Sequence, residues 1–235
     1  MSVAFKGFPK ETRQFYQDLA QNNNRLWFQD HKQDYVRYIQ NPAQDFIEVM
    51  GEKLRSIAPR ITADPDMNRG SIMRIYRDTR FSKDKTPYKT NLGVILHEGP
   101  RRKTESPGFY FHLDPESVWI AVGMWIFPKD FMLAYRDAVV DDKLGSELDA
   151  ALLKINKAGD YKIGAQKYKR LPRGCDPEHP RTTLLFNKGM WVETPPVSWD
   201  VVHSPELIDA TFERYKNGAP LHHWLVKVDQ IALAG

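Results

Sequence analysis

Apolar residues in the first sixty positions recur at steps of three and four, the spacing of one face of a helix. Phe15, Tyr16 and Leu19 fall one turn apart behind Phe8-Pro9, and Pro9 suits a first helical turn, where its missing N–H would be unpaired anyway. Asn22-Asn23-Asn24 reads as a turn that caps a second helix from about Arg25, with Trp27 and Phe28 on its core face. Asn41-Pro42 predicts a stop and a new start, with Gln44 at capping-box spacing from Asn41. The third helix carries Ile47, Met50, Leu54 and Ile57 on one face, and Ala58-Pro59 ends it.

The period then changes from helical to alternating. Met73 and Ile75 point one way and Arg74 and Tyr76 the other; Leu92, Val94 and Leu96 alternate, as do Phe109, Phe111 and Leu113, with Tyr110 and His112 opposite. Asp114-Pro115-Glu116-Ser117 is turn chemistry, and Val118 to Trp125 follows as a buried strand. Strands over 71–77, 90–97, 108–113 and 117–125, joined by short connections, predict an antiparallel sheet. Beyond Pro128 the helical period returns through Phe131, Tyr135 and Ala138, then Leu144, Leu148, Leu152 and Ile155. Residues 157–180 read as a polar excursion, Met190-Trp191-Val192 as a short strand, Ser204-Pro205 as the start of a helix to about Tyr215, and Pro220 as the start of a last one bearing Leu221, Trp224, Leu225 and Val228. Helices, then strands, then helices predict an α+β fold, a central antiparallel sheet flanked by N-terminal and C-terminal helices, over residues 1–235 as one domain.

Composition narrows the function classes. The only cysteine, Cys175, cannot form an internal bridge and has no activating base beside it, which fits a structural thiol in a reducing, cytoplasmic compartment. The opening residues Met1–Gly7 lack the apolar core of a secretory leader, and no apolar run approaches a membrane span. The net charge of +4 permits anion binding without demanding it, so the position of the charge matters more than its total.

That position is uneven. Arg74 to Lys89 holds six cations, two carboxylates and three aromatic residues in sixteen positions. Convergent Arg and Lys bind phosphate or carboxylate, Arg through a bidentate fork and Lys as a point charge. The candidate ligand-binding residues are therefore Arg74, Tyr76, Arg77, Arg80, Lys83, Lys85 and Lys89, with Tyr110 on the neighbouring sheet face. His112, beside it, is the one acid–base candidate near neutral pH. Asp78 and Asp84 admit the opposite reading, an ion-pair network that merely pins the loop. Asp78, flanked by cations, is expected to be held by Arg or backbone donors under either reading.

Two strings in the chain resemble a known family. Arg77-Asp78-Thr79-Arg80-Phe81-Ser82-Lys83-Asp84-Lys85-Thr86-Pro87-Tyr88-Lys89 is similar to the signature of an uncharacterised family of conserved hypothetical proteins of bacteria and fungi, domain of unknown function 2461. Asn22 to Phe28, followed by His31-Lys32 and Tyr35, resembles its N-terminal signature; Pro107 to Leu113 and Trp125-Ile126-Phe127-Pro128 resemble its middle. The resemblance runs from about Phe5 to Val228. It implies no named activity and carries over no catalytic residue. Where family members carry more glycine before the Trp, this chain has Ala121-Val122-Gly123-Met124; if that backbone faces a ligand, the pocket here is tighter.

Other chemistry is sparse. His222 and His223 are adjacent and face different ways on a helix, while His112 with Asp114 places two metal-ligand types on one strand face, too few for a site; a plain structural histidine is the simpler reading. Glu98 beside His97 is a conceivable base that nothing in the sequence selects. There is no phosphate-binding loop, dinucleotide fingerprint or nucleophile elbow, and no cofactor or metal is expected. The expected partners are a phosphorylated or anionic small molecule or, alternatively, a nucleic acid on the same cations with Phe81 or Tyr88 stacking. A third reading is a non-enzymatic interaction domain. No membrane partner is expected, and the oligomeric state is left open.

Overall fold

The computed structural model describes residues 4–66 and 69–235; Met1–Val3 of the opening Met1–Gly7, which lacks the apolar core of a leader, lie outside them. In chain order the elements are α1 (Glu11–Gln21), α2 (Arg25–Asp30), α3 (Lys32–Tyr35), α4 (Asn41–Leu54), β1 (Ile61–Thr62), β2 (Leu92–Glu98), β3 (Gly108–Leu113), β4 (Val118–Met124), α5 (Lys129–Val140), α6 (Asp142–Ala158), β5 (Lys162–Lys167), α7 (Thr182–Leu185), β6 (Asn187–Glu193), α8 (Trp199–Val202) and α9 (Glu206–Ala234). The sheet order is β1-β2-β3-β4-β6-β5 and every named pair is antiparallel. The fold is α+β, as the change of period predicts.

Alternation gives the sheet two unlike faces. Leu92, Val94, Leu96, Phe109, Phe111, Leu113, Val118, Ile120 and Val122 are buried beneath helices. Phe111 meets Phe46 of α4 at 4.7 Å between ring centroids, and α9 lies across β4, where Gly218 lets the helix close on the sheet: a Cβ there would come within 2.7 Å of Val122. The other face carries Gly93, Gly108, Tyr110, His112, Trp119, Ala121 and Gly123, and among the described residues no long helix is laid over it.

Four expectations need correction. Residues 71–77 do not form a regular strand. Ile72 makes an isolated bridge to Val94 on β2, and the chain then folds back on itself, with Tyr76 bridged to Tyr88. Arg77 N donates to Pro87 O, but Pro87 has no N–H to return, so the ladder cannot lengthen. Second, Asn41-Pro42 does not stop the helix. A π-helical turn, Val36–Gln40, joins α3 to α4. Pro42 leaves the Tyr38 carbonyl without its intrahelical donor, and the buried Thr12 hydroxyl supplies one at 2.7 Å. Third, Pro220 lies inside the continuous α9 rather than at a new start, because the buried face through Leu207, Tyr215, Leu221, Leu225 and Val228 runs past it unbroken. Fourth, the excursion at 157–180 contains β5, an edge strand whose half-exposed side chains give no alternating signal.

Candidate functional site

The Arg74–Lys89 string becomes a two-armed excursion over the open end of the sheet. Arg77 N donates to Pro87 O at 2.9 Å and Lys89 N to Ile75 O at 2.7 Å, which leaves residues 78–86 as the tip. Within the tip the ions pair among themselves. Arg80 donates through Nε and Nη2 to Asp78 at 3.0 and 2.7 Å, and Arg77 donates to Asp84 and Thr86. Lys85 donates to the Thr79 carbonyl at 2.8 Å. Asp78 is held as expected: the Arg80 side-chain hydrogen bonds, then its backbone N–H, draw its carboxyl down to about 2. The Arg77 guanidinium, then the Thr86 backbone and hydroxyl, do the same for Asp84.

The two strings that resemble one family are physically one unit. Asn24 caps α2 through its side chain, accepting from Trp27 N at 3.0 Å. Asn23 next to it donates from Nδ2 to Tyr88 O at 3.0 Å and accepts from Tyr88 N at 3.1 Å, replacing a strand partner. Phe28 stacks on Tyr88 at 4.2 Å. Trp27 and Phe28 both pack against the core, as their helical spacing predicts. With Tyr88 fixed into the helical layer, Lys89 is turned toward the open face of the sheet.

There Lys89 lines a cavity of about 380 Å³ with Met73, Asn91, Ile95, Lys103, Tyr110, His112 and Trp119, and with Trp125 and Trp191 at its far side. Such a volume holds a small ligand. Of the candidate ligand-binding residues read from sequence, Lys89 and Tyr110 share this wall, together with the acid–base candidate His112. Arg77, Arg80 and Lys85 are engaged in the loop tip, while Arg74, Tyr76 and Lys83 are exposed outside the lining. Arg74 still acts on the cavity. Burial first, then its charge, lowers the pKa of Lys89; burial, then Lys89, lowers that of Lys103, with Arg74 adding and Asp64 opposing.

Lys103 carried no sequence signal. It sits in a short 3₁₀ turn, Lys103–Glu105, and donates to the Gly70 and Ile72 carbonyls at 2.6 and 2.9 Å, stapling the first arm beside the sheet. Trp191 was also missed as a site residue, since only the pairing of β4 with β6 brings it against Trp125, at 4.5 Å between ring centroids. Ala121 lines the cavity, and its methyl stands where a glycine would leave more room.

Tyr110, His112 and Asp114 form a chain of hydrogen bonds along one strand face. Asp114 Oδ1 accepts from the Glu116 and Ser117 N–H groups, both at 2.8 Å, closing the β3–β4 turn. Its Oδ2 lies 2.9 Å from His112 Nε2, and His112 Nδ1 lies 3.0 Å from the Tyr110 hydroxyl. The ring stacks on Trp119 at 4.7 Å, and burial lowers the His112 pKa more than the Asp114 hydrogen bond and charge raise it. The ring is therefore neutral at pH 7. Burial pushes the Tyr110 phenol up to about 12. His112 and Asp114 bond to each other, and among the described residues no group of three His, Cys, Asp or Glu side chains stands ready to hold a metal.

A model of the conserved hypothetical protein family DUF2461 matches residues 11–224. The chain belongs to this family. No curated protein matches it. In this DUF2461 member the family-like strings build the loop, its anchor on the helices and part of the sheet face beneath, and Lys89, Gly108, Tyr110, His112 and Trp125 within them line the cavity. Among the described residues no helix is long and apolar enough to cross a membrane. Cys175 is half-buried against the core.

On the helix-covered face, Glu98 is tied up rather than poised as a base. It accepts from His222 Nε2 at 3.0 Å and from Arg60 Nε at 3.0 Å, and these bonds, led by His222, lower its pKa despite burial. His222 is fully buried, its pKa is lowered chiefly by burial, and its Nδ1 has no partner among the described residues, so protonation would add an unpaired buried donor. His97 and His112 are shifted in the same direction. All three stay neutral in the folded state at pH values where unfolded imidazoles, near 6.5, take up protons. Stability is therefore expected to hold above about pH 6.5 and to fall as pH drops below it. Glu98 adds its own loss as pH falls from the ordinary carboxylate range downward. Urea denaturation at pH 7.5 and 5.5 checks this; equal free energies at both would refute it.

Proposed function

We propose that this protein binds or processes a phosphorylated or otherwise anionic small ligand in the cavity between Lys89 and the open face of the sheet. The observation that carries the reading is Lys89 itself. It lines the cavity, its pKa is lowered by burial and by Arg74, and no carboxylate among the described residues pairs with it. A cation held back from water beside other cations is unfavourable until an anion joins it. Lys103 and the exposed Arg74 add to the same positive field. Asn91, Thr104 and Ser106 add polar residues to the cavity lining. The lone Cys175 supports a reducing, cytoplasmic setting.

Calorimetric titration with ribose 5-phosphate and pyrophosphate tests the proposal. Lys89→Ala is expected to weaken binding by about 1.5–3 kcal/mol, as for loss of a charge-assisted hydrogen bond. Its thermal stability should equal or exceed that of the unaltered protein, because an uncompensated cation is removed. Unchanged affinity in the variant, or no binding by the parent protein at millimolar ligand, would refute the reading.

One observation favours a second reading, a single-stranded nucleic acid lying on the loop tip. Phe81 is 96% exposed, with the Arg80 guanidinium 5.8 Å from its ring centroid and Lys83 and Lys85 exposed nearby. Stacking on Phe81 with cations on phosphates would give a steep salt dependence, whereas a small anion in the cavity gives a shallow one.

A further inference from the structure

We propose that the anion enters this cavity as part of a flat, ring-bearing molecule, whose ring lies against Trp119, Trp125 and Trp191 and donates an N–H or O–H to the Tyr110 hydroxyl. The inference rests on the anion-binding reading above and specifies what the rest of the ligand must be.

The hydroxyl's direction follows from its partners. Asp114 already accepts two backbone N–H groups through Oδ1, so its Oδ2, at 2.9 Å from His112 Nε2, acts as an acceptor too. The single proton of a neutral imidazole is then on Nε2, and Nδ1 is a bare lone pair. The Tyr110 hydroxyl, 3.0 Å away, gives its proton to that lone pair. Only its oxygen lone pairs remain for the cavity, so the complementary ligand group is a donor. Gly93 makes this arrangement possible: a Cβ there would stand 3.0 Å from the Tyr110 oxygen and 3.1 Å from the Met73 sulfur.

The shape of the cavity supplies the second half of the inference. Its floor is made of Gly108, Ala121 and Gly123, which raise almost nothing above the sheet, and its walls are aromatic. Trp125 is 50% exposed while packed against Trp191 in a tilted pair, and Trp191 is fixed by a hydrogen bond from Nε1 to Glu193 at 2.7 Å. Flat floor and aromatic walls favour a planar occupant, since offset and edge-to-face contacts reward rings over aliphatic chains. An inorganic anion alone would leave these surfaces and the Tyr110 lone pairs unmatched. Lys89 and Lys103 line the same cavity as the three tryptophans, so one ligand can present its charge to the cations and its ring to the indoles.

Nucleoside monophosphates are suitable probes, because each joins a phosphate to a planar base with N–H donors. The experiment titrates adenosine, guanosine and uridine monophosphates and ribose 5-phosphate, followed by tryptophan fluorescence and calorimetry. At least one nucleotide is expected to bind tenfold or more tightly than ribose 5-phosphate. Tyr110→Phe, which keeps the ring packed on Trp119, should lower that nucleotide's affinity by about tenfold and leave ribose 5-phosphate unaffected. Trp125→Ala should likewise lower nucleotide affinity selectively. Equal affinity for nucleotides and ribose 5-phosphate, or a nucleotide affinity untouched by Tyr110→Phe in a variant with an unaltered melt, overturns this inference and leaves the anion reading standing. Binding by none of the four overturns both.

Discussion

Replacing Arg101 by Met is expected to lower folding stability at pH 7 by about 3–5 kcal/mol, the cost of leaving a buried charge without its partner. Arg101 follows β2 and joins three distant parts of the chain. Its Nε donates to Asp229 of α9 at 2.7 Å, and its two terminal nitrogens both donate to Asp130 at the start of α5, Nη1 at 3.0 Å. Asp130 is half-exposed and can turn to water. Asp229 is only 3% exposed and cannot. Even with its guanidinium, burial raises the Asp229 pKa above the ordinary carboxylate value, with Arg101 opposing. Without the guanidinium the carboxyl is expected to rise further and take up a proton as pH falls. A raised acid is a burden at high pH that protonation relieves, so the deficit of the variant should shrink between pH 7 and pH 5. Urea denaturation of the two proteins across that range gives the answer. A variant within about 1 kcal/mol of the parent at pH 7 would show that Arg101 holds no buried charge. This trend with pH is opposite in sign to the histidine effect, which lowers the stability of both proteins and cancels in their difference.

Gly123→Ala is expected to cost about 3 kcal/mol, at the upper end for overpacking, and to lower the melting temperature by about 6–12 °C for a chain of this size. At this position β4 faces Trp191 of β6, and a Cβ would overlap the Met190 carbonyl and the Trp191 backbone. Those neighbours are main chain in a paired strand, so they cannot rotate aside as a flexible side chain would. The same pairing holds Trp191 against Trp125, so a variant that still folds should also lose affinity for ring-bearing ligands while retaining that for ribose 5-phosphate. A melt within 2 °C of the parent would show that β4 and β6 separate cheaply.

The sequence by itself was sufficient wherever the physics is local. A helix face shows as Ile47, Met50 and Leu54, a cap as Asn24, a hairpin turn as Asp114 to Ser117, and a two-faced strand as Phe109 and Phe111 against Tyr110 and His112. Each is decided by neighbours within a few positions, because backbone hydrogen bonds and side-chain periods repeat over that distance. Proline misled at Pro42 and Pro220 because its local cost was outweighed from outside. A hydroxyl from α1 satisfies the carbonyl that Pro42 leaves free, and α9 keeps a continuous buried face past Pro220. Strand β5 was hidden because an edge strand with half-exposed side chains needs no alternation.

Only the tertiary structure decided which cations meet. By composition, the six of Arg74 to Lys89 look alike. Folding spends Arg77 and Arg80 on Asp84 and Asp78, exposes Lys83, and turns Lys89 into the cavity because Asn23 and Phe28 hold Tyr88 on the other side. Lys103 and Trp191, far apart in the chain and unmarked by any motif, complete the walls through strand pairing and a carbonyl staple. Charge and ring chemistry are written in the residues. Their convergence depends on long-range packing, which fixes side chains to fractions of an ångström and leaves no periodic trace along the chain.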